Sequence, residues 1–337
     1  MALRLGIIGC GDIAGYAALF VRIISGLQIT ACCDSAMTTS QAFSRKHRIS
    51  NSYDNYHALI ADPAVDALYI AVPHHLHFPI LAAAIEARKP ALCEKPITRT
   101  LAEGVEITDR AEAAGVKVGV NYQYRYDSAG YALARVCQSG QLGRLLYAQA
   151  HLPWHRTASY FPQGSWRSTI ATAGGGTLLT QGSHLLDLAL WAMGCAPVAA
   201  VGMTARRVFQ NVEVEDLANG ILELEGGAQL SITSSMIAQP EQALRLEIFG
   251  EFGSALYTDR PWPRLITKVT RRESALPTNL PPLPLGLHAL HRSLIAFRDW
   301  LLHDRPYLIP ALAALPALVA VDGIYRSAEL GEKVGVV

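Results

Sequence analysis

Over its first 120 residues the chain alternates short apolar runs with stretches of helical periodicity, and this alternation restricts the fold more than any other feature. Parallel strands need a crossover connection, so the order strand, helix, strand points to βαβ units around a parallel sheet. The candidate strands are Arg4–Ile8, Ile29–Cys33, Ala67–Val72, Ala91–Cys93 and Lys117–Val120, several of them apolar on both faces, as strands covered from two sides must be. Thr100 followed by Glu103 reads as a capping box that opens a helix from Leu101 to about Ala114, and Gly115 closes it.

Beyond residue 125 the pattern changes. A helix near Ser128–Gln138 ends at Gly140, and long alternating segments follow at Leu145–Trp154, Ala218–Glu225 and Ala228–Met236. Gly226-Gly227 separates the last two as a two-residue hairpin turn. Leu244–Phe249 and Ser254–Tyr257 flank a further turn, and helical patterns return at Leu287–Leu302 and Ala311–Leu330 after a Pro-rich stretch from Pro277 to Pro284. The expected fold class is α/β: an N-terminal Rossmann dinucleotide-binding domain over residues 1–122, and an α+β domain with an open, mainly antiparallel sheet over 123–337 for substrate binding and oligomerisation. The C-terminal helix is open to packing back on the first domain.

Composition removes several function classes. Lys plus Arg (29) nearly balances Asp plus Glu (28), a net charge of +1, so there is no field of one sign to recruit nucleic acid or an anionic membrane. No uninterrupted apolar stretch reaches the roughly 18 residues a spanning helix needs. The start, MALRLGIIGCGD, lacks the longer hydrophobic region and cleavage site of a signal peptide, and the six cysteines stand in no ligand spacing. The expectation is a cytoplasmic protein with reduced thiols, no metal, and a small molecule or further copies of itself as partners.

Gly9-Cys10-Gly11-Asp12-Ile13-Ala14 follows the first strand and opens a helix. Glycines at Gly9 and Gly11 permit a tight turn and close approach of a pyrophosphate, which then sits on the helix N-terminus near Asp12 and Ile13. Asp34, followed by Ser35, ends the second strand, where a carboxylate accepts hydrogen bonds from ribose hydroxyls and repels a 2′-phosphate. NAD is therefore expected as cofactor ahead of NADP, which stays possible. A glycine turn that merely joins strand to helix is the bland alternative, and the ordered run of strand, turn, helix, strand and terminal acid argues against it.

Two more strand ends carry unusual residues: Val72-Pro73-His74-His75-Leu76-His77 and Glu94-Lys95-Pro96. In an open parallel sheet the carboxyl ends of the strands frame the ligand crevice. Far downstream a glycine run, Gly174-Gly175-Gly176, precedes a helix with Thr180, His184 and Asp187 spaced i, i+4, i+7 on one face.

These motifs together resemble the Gfo/Idh/MocA family of glucose-fructose oxidoreductase and inositol dehydrogenase, over nearly the whole chain. The resemblance implies an NAD(P)-dependent dehydrogenase acting on a secondary alcohol of a sugar, sugar derivative or cyclitol, in a homodimer or homotetramer covered along its open sheet face. It puts Lys95 and His184 at the reacting carbon. Thr180 stands where the family often has an aspartate, a departure that puts the usual carboxylate partner of the histidine in doubt. The strand-end position puts Val72, Pro73, His74, His77, Glu94, Lys95 and Gln123 at the cofactor and Tyr122 at the substrate, while Arg156, Tyr160, Trp166 and Arg167 either bind substrate hydroxyls or phosphates by stacking and forked hydrogen bonds or hold their loop to the sheet.

On these residues alone several readings stand side by side. Lys95 polarises the substrate oxygen while neutral His184 takes the proton, or deprotonated Lys95 is the base and His184 positions the substrate. Asp187 contacts substrate or pairs with a neighbouring helix. A tightly held NAD used as a redox relay for sugar elimination, and a non-catalytic NAD-dependent sensor, are the rival functions; retention of both Lys95 and His184 opposes the second.

Overall fold

A computed structural model describes residues 2–270 and 275–336. The chain divides into two compact units, Met1–Gln123 with Leu283–Ala314, and Tyr124–Pro282 with Leu315–Val337. The division therefore differs from a single cut after residue 122. What returns to the first unit is the helix Ala289–His303, whereas only the first turn of the last helix, Ala311–Leu330, belongs there. The return has identifiable anchors: Phe20 stacks on His288 and His291 at 5.6 and 5.4 Å, Lys117 Nζ donates to the Trp300 carbonyl at 2.7 Å, and the Tyr307 hydroxyl donates to the Val120 carbonyl at 3.3 Å.

The first unit holds six parallel strands, β1 (Leu3–Ile8), β2 (Leu27–Cys33), β3 (Asn51–Tyr53), β4 (Ala67–Ile70), β5 (Ala91–Cys93) and β6 (Val118–Val120). Their order, β3-β2-β1-β4-β5-β6, is that of a dinucleotide-binding sheet, with the chain reversing direction of travel between β1 and β4. The short edge strand β3 has too few apolar residues to announce itself in the sequence. Helices α1 (Asp12–Val21), α2 (Met37–His47), α3 (Tyr56–Ala61), α4 (His77–Glu86) and α5 (Leu101–Ala114) make the crossovers. The Thr100 hydroxyl caps α5 by accepting from the Glu103 amide, and Gly115 ends it at positive φ, as the capping pattern predicts.

The second unit is built on eight strands: β7 (Leu145–Pro153), β8 (Pro197–Ala205), β9 (Leu217–Leu224), β10 (Gln229–Ser235), β11 (Arg245–Gly250), β12 (Gly253–Thr258), β13 (Arg264–Val269) and β14 (Val334–Gly335), in the order β13-β12-β11-β7-β10-β9-β8-β14. All neighbours are antiparallel except β7 and β10. Between β9 and β10 the loop is four residues, Glu225 to Ala228, two longer than the expected turn, with Gly226 and Gly227 both at positive φ and Leu224 N–H donating to the Ala228 carbonyl.

One face of this sheet packs against α6 (Ser128–Gln138), α8 (Ser183–Met193) and the helix Ala311–Leu330. By length and composition that last helix is apolar enough to cross a bilayer, yet half of its most apolar stretch is buried within the structure. It lies in a notch made by the cross-strand pair Gly202 and Gly220, where a Cβ on either would stand 2.3 Å from the Ile324 carbonyl or 2.5 Å from its side chain. Gly202 N–H donates to Ser327 Oγ there at 2.9 Å. The opposite face is open: Tyr147, Val201, Ile221, Ile266 and Met203, the last 74% exposed, project from it.

Candidate active site

The first unit gathers its unusual residues at the carboxyl ends of the strands. Gly9 follows β1 at φ +92°, and a Cβ there would stand 2.2 Å from the Ala71 carbonyl, so this turn admits glycine alone. Gly11 is the N-cap residue of α1, without a side-chain cap, and the space where its Cβ would lie is open. The helix thus presents unsatisfied amides to a cradle shaped for an anion. Asp34 borders it, accepting from Cys10 N–H at 3.1 Å and Ala36 N–H at 3.2 Å, which fixes its carboxylate beside the glycine turn.

At the neighbouring strand ends, Glu94 ties three strands together. Its amide donates to the Ile70 carbonyl, and its Oε1 accepts from the Tyr69 hydroxyl and from Asn121 Nδ2, both at 2.6 Å. Burial pushes its carboxyl up, and the bonds from Tyr69 and Asn121 together with the Lys95 charge oppose that. Glu94, expected at the cofactor, thus knits the strand ends together through these bonds. His77, also expected at the cofactor, has a completely buried ring, with Nδ1 2.7 Å from the Pro96 carbonyl and Nε2 3.0 Å from that of Val72. Tyr122, assigned to substrate, is 1% exposed and packs as a core ring. Val72, Pro73, Lys95 and Gln123 are half-buried at the same strand ends, and His74 is buried 5.6 Å from the His77 ring.

The second unit presents a helix start. Gly174 ends the short helix α7 (Ile170–Ala173) at positive φ. Cβ atoms at Gly175 and Gly176 would collide with the Tyr325 hydroxyl at 2.2 Å and the Glu215 carbonyl at 1.9 Å, which explains the glycine run. The Glu215 carboxylate accepts from Gly176 N–H at 2.7 Å, Leu178 N–H at 2.9 Å and the Tyr325 hydroxyl at 2.8 Å. An anion therefore caps the helix that carries His184. Burial pushes the Glu215 carboxyl up, and its three donors restrain it.

From this anchor Leu178–Gly182 winds as a π-helix before α8 begins, so the α-helical repeat assumed for Thr180, His184 and Asp187 holds only from Ser183 onward. The Thr180 hydroxyl donates to the Gly176 carbonyl at 2.6 Å. The His184 ring lies 4.8 Å from that of Tyr124, whose phenol burial pushes well up and keeps protonated. One turn on, Asp187 is resolved as a structural residue. It takes a forked pair from Arg125, Nε to Oδ2 at 2.9 Å and Nη2 to Oδ1 at 2.6 Å, with side chains 6% and 1% exposed, and Arg125 also faces the Trp191 ring.

The aromatic segment forms a ladder in which Arg156 lies over Trp154 and Tyr160, and Arg167 over Tyr160 and Trp166, at 4.6 to 5.7 Å from ring centroids. Arg156 is also ion-paired to Glu241 at 3.4 Å and lines a cavity of about 800 Å³ with His155, Phe161, Phe209 and Val212. Tyr124, Arg125 and Glu215 escaped the sequence reading; the adjacent acids Glu215-Asp216, between two strand patterns, were the available signal for one of them.

Residues 3–122 match a family model described as an oxidoreductase family with an NAD-binding Rossmann fold, and residues 131–256 match the GFO/IDH/MocA C-terminal domain. The 1,5-anhydro-D-fructose reductase of Ensifer adhaerens is 27% identical over 85% of this chain and 84% of that protein. The mouse (Mus musculus) trans-1,2-dihydrobenzene-1,2-diol dehydrogenase is 30% identical over 70% of this chain and 69% of its own length. A levoglucosan dehydrogenase structure in complex with NADH superposes with a TM-score of 0.89 over the whole of both chains at 22% identity, a likeness of fold alone.

The buried Arg125–Asp187 pair yields a direct expectation. Asp187→Ala leaves a guanidinium uncompensated and should cost about 3–5 kcal/mol of stability. Thermal or denaturant unfolding checks this; a change in kcat with normal stability would return Asp187 to the catalytic set.

Proposed function

The chain belongs to the GFO/IDH/MocA family of NAD-binding oxidoreductases, and from that membership we propose that it moves a hydride between a secondary alcohol carbon of a sugar, sugar derivative or cyclitol and the nicotinamide. The observation that carries this reading is the placement of Asp34, the open glycine cradle and the Lys95 turn at the carboxyl ends of β2, β1 and β5, on either side of the switch between β1 and β4. NAD, when bound, supplies the hydride acceptor at C4. The amides of Gly11, Asp12 and Ile13 fit the pyrophosphate, Asp34 and Ser35 the adenosine ribose, and Val72, Pro73 and His74 the nicotinamide side. Asp34 favours NAD over NADP by its charge.

Lys95, as an ammonium, polarises the substrate oxygen, and neutral His184 takes the hydroxyl proton as the carbinol C–H bond gives up its hydride, leaving a ketone. Thr180 supports the neutral form of His184, because a hydroxyl brings no charge to hold a proton on the imidazole. Arg167, stacked between Tyr160 and Trp166, and Arg156, which shares Glu241 with Arg260, contact substrate hydroxyls or an anionic group. A cytoplasmic location belongs to the same reading, supported by six unbridged thiols. So does a homodimer or homotetramer through the open sheet face, where Val201 pairs with Ile221 and Tyr147 stacks on Phe249 at 4.4 Å.

Absorbance at 340 nm with NAD and NADP against aldoses, inositols and sugar acids tests the activity. NAD should give the higher kcat/KM, and Lys95→Ala should lower turnover on the order of 10²-fold or more with little change in NADH affinity; near-normal turnover removes Lys95 from the mechanism. In Thr180→Asp the acidic limb of the kcat/KM profile should move to higher pH, since the new carboxylate holds the proton on His184; a limb that stays put there and moves with Lys95 substitutions makes Lys95 the base. Light scattering should return a dimer or tetramer that Ile221→Asp dissociates, and a monomeric wild type would end the interface proposal.

A further inference from the structure

Behind the Lys95 turn lies an imidazole without solvent access. His77 begins α4, and its two ring nitrogens face two backbone carbonyls, Pro96 at 2.7 Å and Val72 at 3.0 Å. Both partners are acceptors, and a neutral imidazole has one N–H to give; only a ring protonated at both nitrogens donates to both. Burial and the Lys95 charge oppose that second proton, while the two carbonyls favour it. The contact is therefore a demanding one to place inside a core, where an apolar ring would fill the same volume without cost.

The two carbonyls are not arbitrary. Val72 stands at the end of the β4 turn, next to Pro73, and Pro96 directly follows Lys95 after β5. β4 and β5 are neighbours in the sheet, and their pairing stops at Ile70 and Cys93, so beyond those residues the ladder no longer holds the two turns in register. One side chain takes over from the ladder. We infer that His77 is a positioning residue for Lys95, bonding the Lys95-Pro96 turn to the Val72-Pro73 strand end and so setting where the ammonium stands along the cofactor edge. Glu94 secures the same turn from its other side through Tyr69 and Asn121, so the chain on both flanks of Lys95 is tied down. A reacting group must be held to within about 0.5 Å to work well, which is the service such a strap provides.

This inference rests on the role proposed for Lys95. Its test compares His77→Gln, which keeps one amide donor, and His77→Phe, which keeps the ring volume and has none, each alone and combined with Lys95→Ala. Turnover, KM for the sugar substrate found in the 340 nm screen and NADH affinity by fluorescence are measured for each. The strap predicts that His77→Phe lowers kcat at least tenfold with NADH affinity within about threefold, that His77→Gln recovers part of the loss, and that neither adds more than about twofold to Lys95→Ala, because residues that act as a unit are not additive. Equal fold-losses with and without Lys95, or loss of NADH affinity at unchanged kcat, overturn it. Full activity in Lys95→Ala alone removes the Lys95 reading itself, whereas unaltered His77 variants beside an inactive Lys95→Ala remove only the strap. A measurement independent of folding of the variants uses wild-type chain with ¹⁵N-labelled histidine: the His77 N–H should exchange with deuterium far more slowly than that of exposed His57, and equal rates overturn the inference.

Discussion

A carboxylate withdrawn from water stays ionised only where donors meet it, and that requirement shapes the second unit from Glu215 outward. Its donors are Gly176 N–H, Leu178 N–H and the Tyr325 hydroxyl, so satisfying one charge fixes the start of the helix, the glycine run before it and the last helix of the chain together. Asp187 repeats the arrangement further along the same helix with Arg125, and Glu94 repeats it in the first unit with Tyr69 and Asn121. Glu94 precedes Lys95 directly in the chain, and the Glu215 and Asp187 bonds fix the helix that carries His184 at its start and one turn beyond that residue. The residues proposed for the reaction are thus held by bonds that electrostatic need already imposes.

The legibility of the sequence follows from how local each cause is. The crossover units of the first unit, the cap of α5 and the glycine turn after β1 depend on residues within a few positions of one another, and the sequence carries them openly. β8 and β13 did not read as strands: β8 includes Pro197 and Gly202, and β13 leaves nearly all of its residues exposed at the end of the sheet. The π winding at Leu178–Gly182 leaves no mark in the residue pattern, and the acid bonded to its first amide, Glu215, lies 37 residues away. Asp187 was ambiguous for the same reason; its answer, Arg125, lies 62 residues away.

Among the candidate site residues the pattern is similar. Gly9, Gly11, Asp34 and Lys95 occupy positions that their motifs imply, because each motif is itself a turn. His77 and Glu94 belong to the same motifs and bond to the turns themselves, and Tyr122 packs as a buried ring. A motif fixes where the backbone goes, and only packing decides which of its side chains faces the reaction and which supports it.

The return of Leu283–Ala314 to the first unit has a consequence for biosynthesis. The chain enters the second unit at Tyr124, comes back at Leu283 and leaves again at Leu315, so neither unit is a continuous stretch. A nascent first unit has its whole parallel sheet by Gln123, but the helix bearing His291 and the Tyr307 ring that packs over Gly119 are synthesised roughly 170–185 residues later, a delay of about 10–40 s at ordinary translation rates. During that interval Phe20, Val120 and the flank of Gly119 stand uncovered on the ribosome, and the first unit to be made is not the first to be finished.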